Sequence, residues 1–348
     1  MRTILSIVIP TYNRSNYLTK CLQSISECSK STQNKIEVII CDNFSQDKTQ
    51  GVIKNFIDKK KYLNRIINIR SEKLISAQQN WESGINIAKS SHILLLSDDD
   101  KVEKLGLEAI IKGHYFTKYD LFIGGHYLID KKIIFSKVDL FIGGHYLIDK
   151  NGRKLCRYKN KNKNYDLETF MKDLSIRKIR HKLCSVIWRK ELVDQRKVFS
   201  FKYPSNGICL DGAIMLASAL DNNIYSSTEV ISSYRVHQNN DCRGPDTEKF
   251  LVGREIFHKY GELLISDRKN AFYWFINWNI YGGIIQAISS IFRLKEFNTA
   301  INLLSDTAFL QNSLIRDIKK IDKKSIPGLI LLVYFYFIKV IEFLRIKK

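Results

Sequence analysis

Over its first hundred residues the chain alternates short apolar runs with amphipathic stretches, and each apolar run stops abruptly in polar residues. Ile4 to Ile9 is a β-rich run ended by Pro10. Ser15 opens a stretch with Tyr17, Leu18, Cys21, Leu22 and Ile25 at helical spacing. Ile36 to Cys41 predicts a second buried strand, closed by the turn formers Asp42, Asn43 and Ser45. Asp47 predicts the cap of a helix through Ile57, and Arg65 to Ile69 a third strand. Ala77 to Ala88 has helical spacing, and the fourth strand, His92 to Leu96, runs straight into Ser97-Asp98-Asp99-Asp100. Apolar strands separated by helices imply an α/β fold whose mostly parallel sheet is covered on both faces. Ligands bind such sheets beyond the carboxyl ends of the strands, so the polar clusters after strands one, two and four converge in space.

The rest of the chain is less regular. Phe116 to Lys131 and Phe135 to Lys150 match at 14 of 16 positions with an offset of 19, a tandem repeat too short for a solenoid. One copy is expected to supply a core strand and the other a surface arm or displaced strand. Asn151 to Asn164 is rich in Lys and Asn and reads as a solvated loop. A mixed α/β stretch follows to about Gln238, and from Thr247 the pattern is helical. These shifts divide the chain into residues 1–240 and a helical region, 247–348.

The 348 residues are 45% hydrophobic and 26% charged, which excludes wholesale disorder, collagen and a polytopic membrane protein. The formal charge of +21 asks for an anionic partner: nucleic acid, nucleotide, phosphorylated lipid or membrane surface. Lys outnumbers Arg 39 to 17, however, so an AT-rich coding bias accounts for part of the surplus. No helix-turn-helix, zinc-finger or RNA-recognition pattern is present, which argues against nucleic acid. Seven cysteines without a C-x-x-C pair read as reduced thiols of a cytosolic protein, with Cys21, Cys41 and Cys184 in the core. The first apolar run is strand-length and ends at Pro10, unlike a secretory signal.

Asp98-Asp99-Asp100 carries the sharpest chemistry. Carboxylates spaced i and i+2 on an extended turn share a hard divalent cation with diphosphate oxygens. They equally suit an acidic turn capping the helix that begins near Val102. Asp42 reads either as an Asx turn or as a carboxylate holding a base or ribose. Pro10-Thr11-Tyr12-Asn13-Arg14 is a loop or a wall for a base, and Gln78 and Asn80 are helix caps or ligand contacts. No dinucleotide-binding glycine fingerprint, P-loop or nucleophile elbow occurs.

Leu5 to Arg14, Glu37 to Asp47, Asn80 to Lys89 and Leu94 to Asp100 together closely resemble the family 2 glycosyltransferases of the GT-A fold, over residues 3 to about 240 and most strongly to 103. The resemblance implies a Rossmann-like nucleotide-diphospho-sugar transferase domain. It implies that Pro10, Thr11, Tyr12, Arg14, Asp42, Gln78, Asn80, Asp98 and Asp99 hold the donor nucleotide, and that Asp100 ligates Mn²⁺ or Mg²⁺, which neutralises the diphosphate leaving group. By the same resemblance Asp211 is the general base for the acceptor hydroxyl, although Leu210 stands where many members have a second acid. Ser233 to His237 resembles the family's Tyr-Arg-x-His, with His237 completing the metal shell or touching the diphosphate, or else structural, and Arg235 pairing with the diphosphate. The function implied is metal-dependent, inverting transfer of a sugar to a saccharide acceptor, lipid-linked, in bacterial O-antigen, lipopolysaccharide or capsule assembly. A nucleotidyltransferase using the same carboxylates, or an inactive scaffold, are the alternatives.

Residues 270–292 carry no formal charge but include Asn277, Asn279, Gln286 and Gly282-Gly283, and fit a buried or interfacial helix better than a span. Residues 328–346 begin apolar and then place Lys339, Glu342 and Arg345 along one side. With flanking lysines this reads as an in-plane anchor on an anionic membrane, or as a helix docked on the protein itself. The expected location is cytoplasmic, peripheral on the inner face of the cytoplasmic membrane.

Overall fold

The computed structural model describes residues 3–59, 63, 65–113, 138–175, 178–221, 223–237 and 247–265. The chain divides into two compact units, residues 1–170 with 179–244, and residues 171–178 with 245–348. The first repeat copy and the segments 270–292 and 328–346 lie outside the described residues.

The alternation read from the sequence is present as β1 (Leu5–Thr11), α1 (Ser15–Ser26), the one-turn α2 (Lys30–Gln33), β2 (Ile36–Asp42), α3 (Thr49–Lys59), β3 (Arg65–Arg70), α4 (Ala77–Ile87) and β4 (His92–Leu95). A two-residue strand β5 (Lys101–Val102) leads into α5 (Lys104–Lys112). The second repeat copy forms β6 (Leu140–Ile148), followed by β7 (Lys154–Tyr158), β8 (Lys163–Tyr165), α6 (Leu167–Ser175), β9 (Val186–Arg189), α7 (Lys190–Gln195), α8 (Leu210–Ala219) and β10 (Ile224–Arg235). In the second unit α9 spans Thr247–Leu264.

All ten strands form one sheet in the order β3-β2-β1-β4-β9-β6-β10-β5, with β7 beside β6 and β8 beside β10. β3, β2, β1 and β4 are mutually parallel, as expected, and β6 pairs parallel with β10. The other pairings are antiparallel, so the sheet is mixed beyond β4. The region predicted as a loop supplies β7 and β8. Its pattern is weak because β7 is an exposed edge strand, which needs charge rather than apolar alternation.

The core explains the apolar runs. Leu5, Ile7 and Ile9 pack with Val38, Ile40, Leu18, Leu22 and Ile53 in one buried cluster, while Val8 and Ile39 on the opposite face are equally buried. Asp47 caps two helices at once, accepting from the Thr49 N–H at 3.0 Å and the Ser15 N–H at 3.0 Å. Partial burial opposes its charge, but these hydrogen bonds outweigh it and hold the carboxyl down at about 2.

Helix α5 lies unusually close to β10. A Cβ on Gly106 would fall 2.0 Å from the Val230 carbonyl oxygen, a backbone atom that cannot step aside. Gly106→Ala is therefore expected to cost about 3 kcal/mol, read as a lower urea midpoint at unchanged slope. A midpoint equal to wild type would contradict this close packing.

Candidate active site

Strand direction brings the polar clusters to one edge. β1, β2 and β4 run in parallel, and Leu96 extends the ladder by donating its N–H to the Val8 carbonyl at 2.9 Å. The chain then turns, with the Asp100 N–H donating to the Ser97 carbonyl at 3.0 Å, and enters β5, which pairs with the end of β10. β9 is antiparallel to β4, so the residues that precede it start at this same edge. The helix-cap reading of the triplet is not realised: the N-cap of α5 is Glu103.

Asp98, Asp99 and Asp100 are each at most 5% exposed. Asp98 accepts from Thr11 Oγ1 at 2.7 Å, and Arg14 Nη1 lies 3.2 Å from both Asp98 and Asp99. His237 Nε2 meets Asp99 Oδ2 at 2.8 Å, and its ring stacks on Tyr17 with centroids 5.2 Å apart. Asp100 Oδ1 accepts the Arg235 N–H at 2.8 Å and also contacts the Cys184 thiol. Burial pushes the Asp98 carboxyl up to about 7, with Arg14 pulling it down and Asp99 adding to the rise. Burial, then the Asp99 charge, raises Asp100 well above the carboxylate range.

The remaining expected contacts divide. Tyr12 is exposed and Pro10 half-buried at the end of β1. Asp42 is fully buried, accepting from the Ser45 N–H at 3.0 Å, from Gln50 Nε2 and facing Arg70 at 3.7 Å, which is the Asx turn with a clamp added. Gln78 does not face this edge freely. Its Nε2 donates to the Phe199 and Phe201 carbonyls at 2.7 and 2.9 Å, and its Oε1 accepts the Tyr203 N–H. Asn80 is spent on the Cys41 carbonyl at 3.0 Å. Both amides are brackets: one holds the approach to α8, the other pins α4 to the end of β2. Arg235, expected at the diphosphate, is buried and donates to the carbonyls of Asp99, Asp149 and Lys150 at 2.7 to 3.1 Å. It braces the aspartate turn.

Asp211 sits in the first turn of α8, just after Cys209 in a left-handed conformation. It lines a recess with His181, Leu183, Val186, Trp188, Ile214 and Met215. Burial there raises its carboxyl, and backbone N–H groups and Lys182 partly offset the rise. The segment 181–185 thus touches both halves of the site: Leu183 walls Asp211, and Cys184 meets Asp100. The sequence reading missed it. Its only signal is the polar run Arg180-His181-Lys182 before an apolar strand, and antiparallel β9 is what turns that run toward the site.

The model for glycosyl transferase family 2 matches residues 6–186, just over half of the chain. The chain belongs to this family. It is 29% identical over 131 residues to glycosyltransferase GlyG of Streptococcus pneumoniae, covering 38% of this chain and 42% of that protein. The matches span less than half the length of each of the first curated relatives. Among solved structures, S. aureus TarS 1–349 in complex with UDP-GlcNAc has a TM-score of 0.57 at 17% identity, covering 87% of this chain and 80% of that one. The mannosyltransferase PcManGT from Pyrobaculum calidifontis, in complex with GDP-Man and Mn²⁺, has a TM-score of 0.51 at 12% identity, covering 99% of this chain and 85% of that one. Both share the GT-A-like fold of this family member.

Among the described residues no three His, Cys, Asp or Glu side chains are placed to hold a metal unaided. The donor set nevertheless fits a hard cation of the Mg²⁺ or Mn²⁺ type, which takes one or two carboxylates and completes its shell with substrate phosphates and water. Three carboxylates are buried together, and burial raises the proton affinity of Asp98 and Asp100, so the turn is short of positive charge. His237 is turned toward Asp99 rather than Asp100.

The crowding has a thermodynamic signature. Asp98 binds its proton more tightly folded, at about 7, than at the ordinary 3.8, so its ionisation costs stability as pH rises through that window. With divalents chelated, Asp98→Asn should gain stability over wild type progressively from about pH 4 to about pH 7, then level off. Thermal unfolding of both proteins across that range measures it, and a gap that is flat or shrinks with pH contradicts it.

Proposed function

We propose that the chain transfers a sugar from a nucleotide-diphospho-sugar to a saccharide acceptor with inversion at the anomeric carbon. The observation that carries this is the edge where the aspartate turn and the Asp211 recess share the segment 181–185. One end is suited to the diphosphate and the other to the attacking hydroxyl. The family assignment and the fold shared with sugar-nucleotide complexes support the same reading.

In this scheme Asp211 accepts the proton of the acceptor hydroxyl while that oxygen bonds to the anomeric carbon. The bond from that carbon to the diphosphate breaks, and its electron pair leaves with the diphosphate oxygen. Bound Mn²⁺ or Mg²⁺ would supply Lewis-acid charge to that leaving group. Thr11 and Arg14 fix Asp98, Arg235 fixes the Asp99 carbonyl and the Asp100 carboxylate, and His237 orients Asp99. Tyr12 and the loop after β1 flank the nucleotide, and Asp42 shapes the loop after β2 beside it.

We place the enzyme in surface polysaccharide assembly on a lipid-linked acceptor, peripheral on the inner face of the cytoplasmic membrane. The basic and apolar pattern of residues 328–348 supports that location. Among the described residues no helix is long and apolar enough to cross a membrane.

A thermal-shift screen of nucleotide sugars with and without Mn²⁺ tests the reading. A ligand that binds only the native state at about 100 times its Kd stabilises by about 2.7 kcal/mol. One nucleotide sugar should raise Tm in Mn²⁺ and far less without it. No response to any nucleotide sugar would overturn the proposal.

A further inference from the structure

The first turn of α1 brings two side chains to the aspartate turn. Arg14 is the N-cap of the helix, and the Tyr17 N–H donates to the Arg14 carbonyl at 3.0 Å. Arg14 Nη1 meets Asp98 and Asp99 at 3.2 Å, whereas the Tyr17 ring lies against His237 and Arg235. The apolar residues that α1 buries are Leu18, Cys21, Leu22 and Ile25, all members of the core cluster. Tyr17 is half-buried beside them and, among the described residues, is not part of that cluster. Its ring serves the site edge instead of the core.

The two residues it touches both hold the aspartate turn. Arg235 and His237 are two apart at the end of β10, the spacing that puts side chains on one face of an extended chain. The His237 ring stacks on Tyr17 with centroids 5.2 Å apart and planes 17° apart. The Arg235 guanidinium carbon rests over the same ring, 5.3 Å from its centroid, while guanidinium N–H groups donate to the carbonyls of Asp99, Asp149 and Lys150. The 2.8 Å hydrogen bond from His237 to Asp99 fixes only the position of Nε2, and by itself leaves the imidazole free to turn about that point. The stack removes this freedom, because aromatic contacts are directional.

We propose that Tyr17 is a positioning residue of the metal site: it sets the plane of His237, through it the direction of the Asp99 carboxylate beside Asp100, and so the affinity of the turn for Mn²⁺. This rests on the aspartate turn being the metal site of the proposed transferase. Groups that orient a metal site from outside typically change metal affinity by about 10- to 100-fold.

Titration of the full chain with Mn²⁺ alone, with free Mn²⁺ read by electron paramagnetic resonance, tests it. Tyr17→Leu should weaken Mn²⁺ binding on the order of tenfold, and Tyr17→Met, which also fills the space without a ring face, by as much. Tyr17→Phe keeps the ring and should restore binding to within about twofold of wild type. Adding Tyr17→Leu to His237→Ala should cost less than about twofold more, because the path through His237 is already lost. Thermal unfolding in chelator separates the fold from the site. A lower Tm in Tyr17→Leu with unchanged Mn²⁺ affinity overturns the proposal and leaves Tyr17 a packing residue. So do losses that multiply in the double variant, which put its effect outside His237, and a wild type that binds no Mn²⁺. A wild type that binds Mn²⁺ with the expected variant pattern but transfers no sugar would instead refute the transferase reading and leave the positioning role standing.

Discussion

Asp100→Asn is expected to lower kcat/KM for sugar transfer by about a thousandfold or more while leaving the fold intact. Asparagine keeps the shape and the oxygen that accepts the Arg235 N–H at 2.8 Å. It removes the negative charge and places an amide N–H group where a cation would sit. Because burial and the neighbouring Asp99 already disfavour the Asp100 charge, neutralising it relieves the divalent-free protein. The variant should therefore unfold at or above the wild-type Tm in chelator, and only wild type should gain Tm from Mn²⁺ with donor. Steady-state kinetics and calorimetry in parallel separate lost chemistry from lost structure. Full transfer activity at saturating donor and metal would remove Asp100 from the metal site.

Asp211→Asn is expected to lower kcat by about a thousandfold with the donor affinity unchanged, since a general base contributes 10² to 10⁴. The amide fills the same space in the recess beside Leu183 and Trp188 but cannot take a proton. The pH profile gives an independent check. The base works ionised, and burial raises its carboxyl above the ordinary 3.8, so kcat/KM falls as pH drops through that raised value. The acid limb of the wild-type profile should sit above the usual carboxylate range and disappear in the variant's residual activity. An unchanged kcat in Asp211→Asn would assign the base elsewhere.

β1, β2 and β4 were readable because both of their faces are buried, so they are written as nearly continuous apolar runs, whereas β3 at the sheet edge is only partly buried. The aspartate turn was readable for the opposite reason: three acids directly after such a run have no place in a core. The repeat could be assigned to the sheet, since its Gly-Gly pair tolerates the packing of Ile231 and Val230 against β6. β7 was hidden because an exposed edge strand carries charge on both faces and loses its period. Gln78 and Asn80 were placed at the donor because an amide opening a helix has the same spelling whether it binds a ligand or a neighbouring carbonyl. Arg235 was similarly ambiguous, and only its burial shows that backbone carbonyls take its guanidinium. The segment 180–185 was invisible for a topological reason. A run preceding a strand lies far from the site in an all-parallel sheet, and antiparallel β9 reverses that.

The most direct measurement of the central claim is product analysis after incubating the full chain with the donor found by thermal shift, Mn²⁺ and an acceptor oligomer. Phosphorus and proton NMR should show one nucleoside diphosphate released for each glycosidic bond formed, with the anomeric configuration opposite to that of the donor. Release of pyrophosphate, or transfer of the nucleotide itself, would contradict a sugar transferase at the Asp98–Asp100 edge.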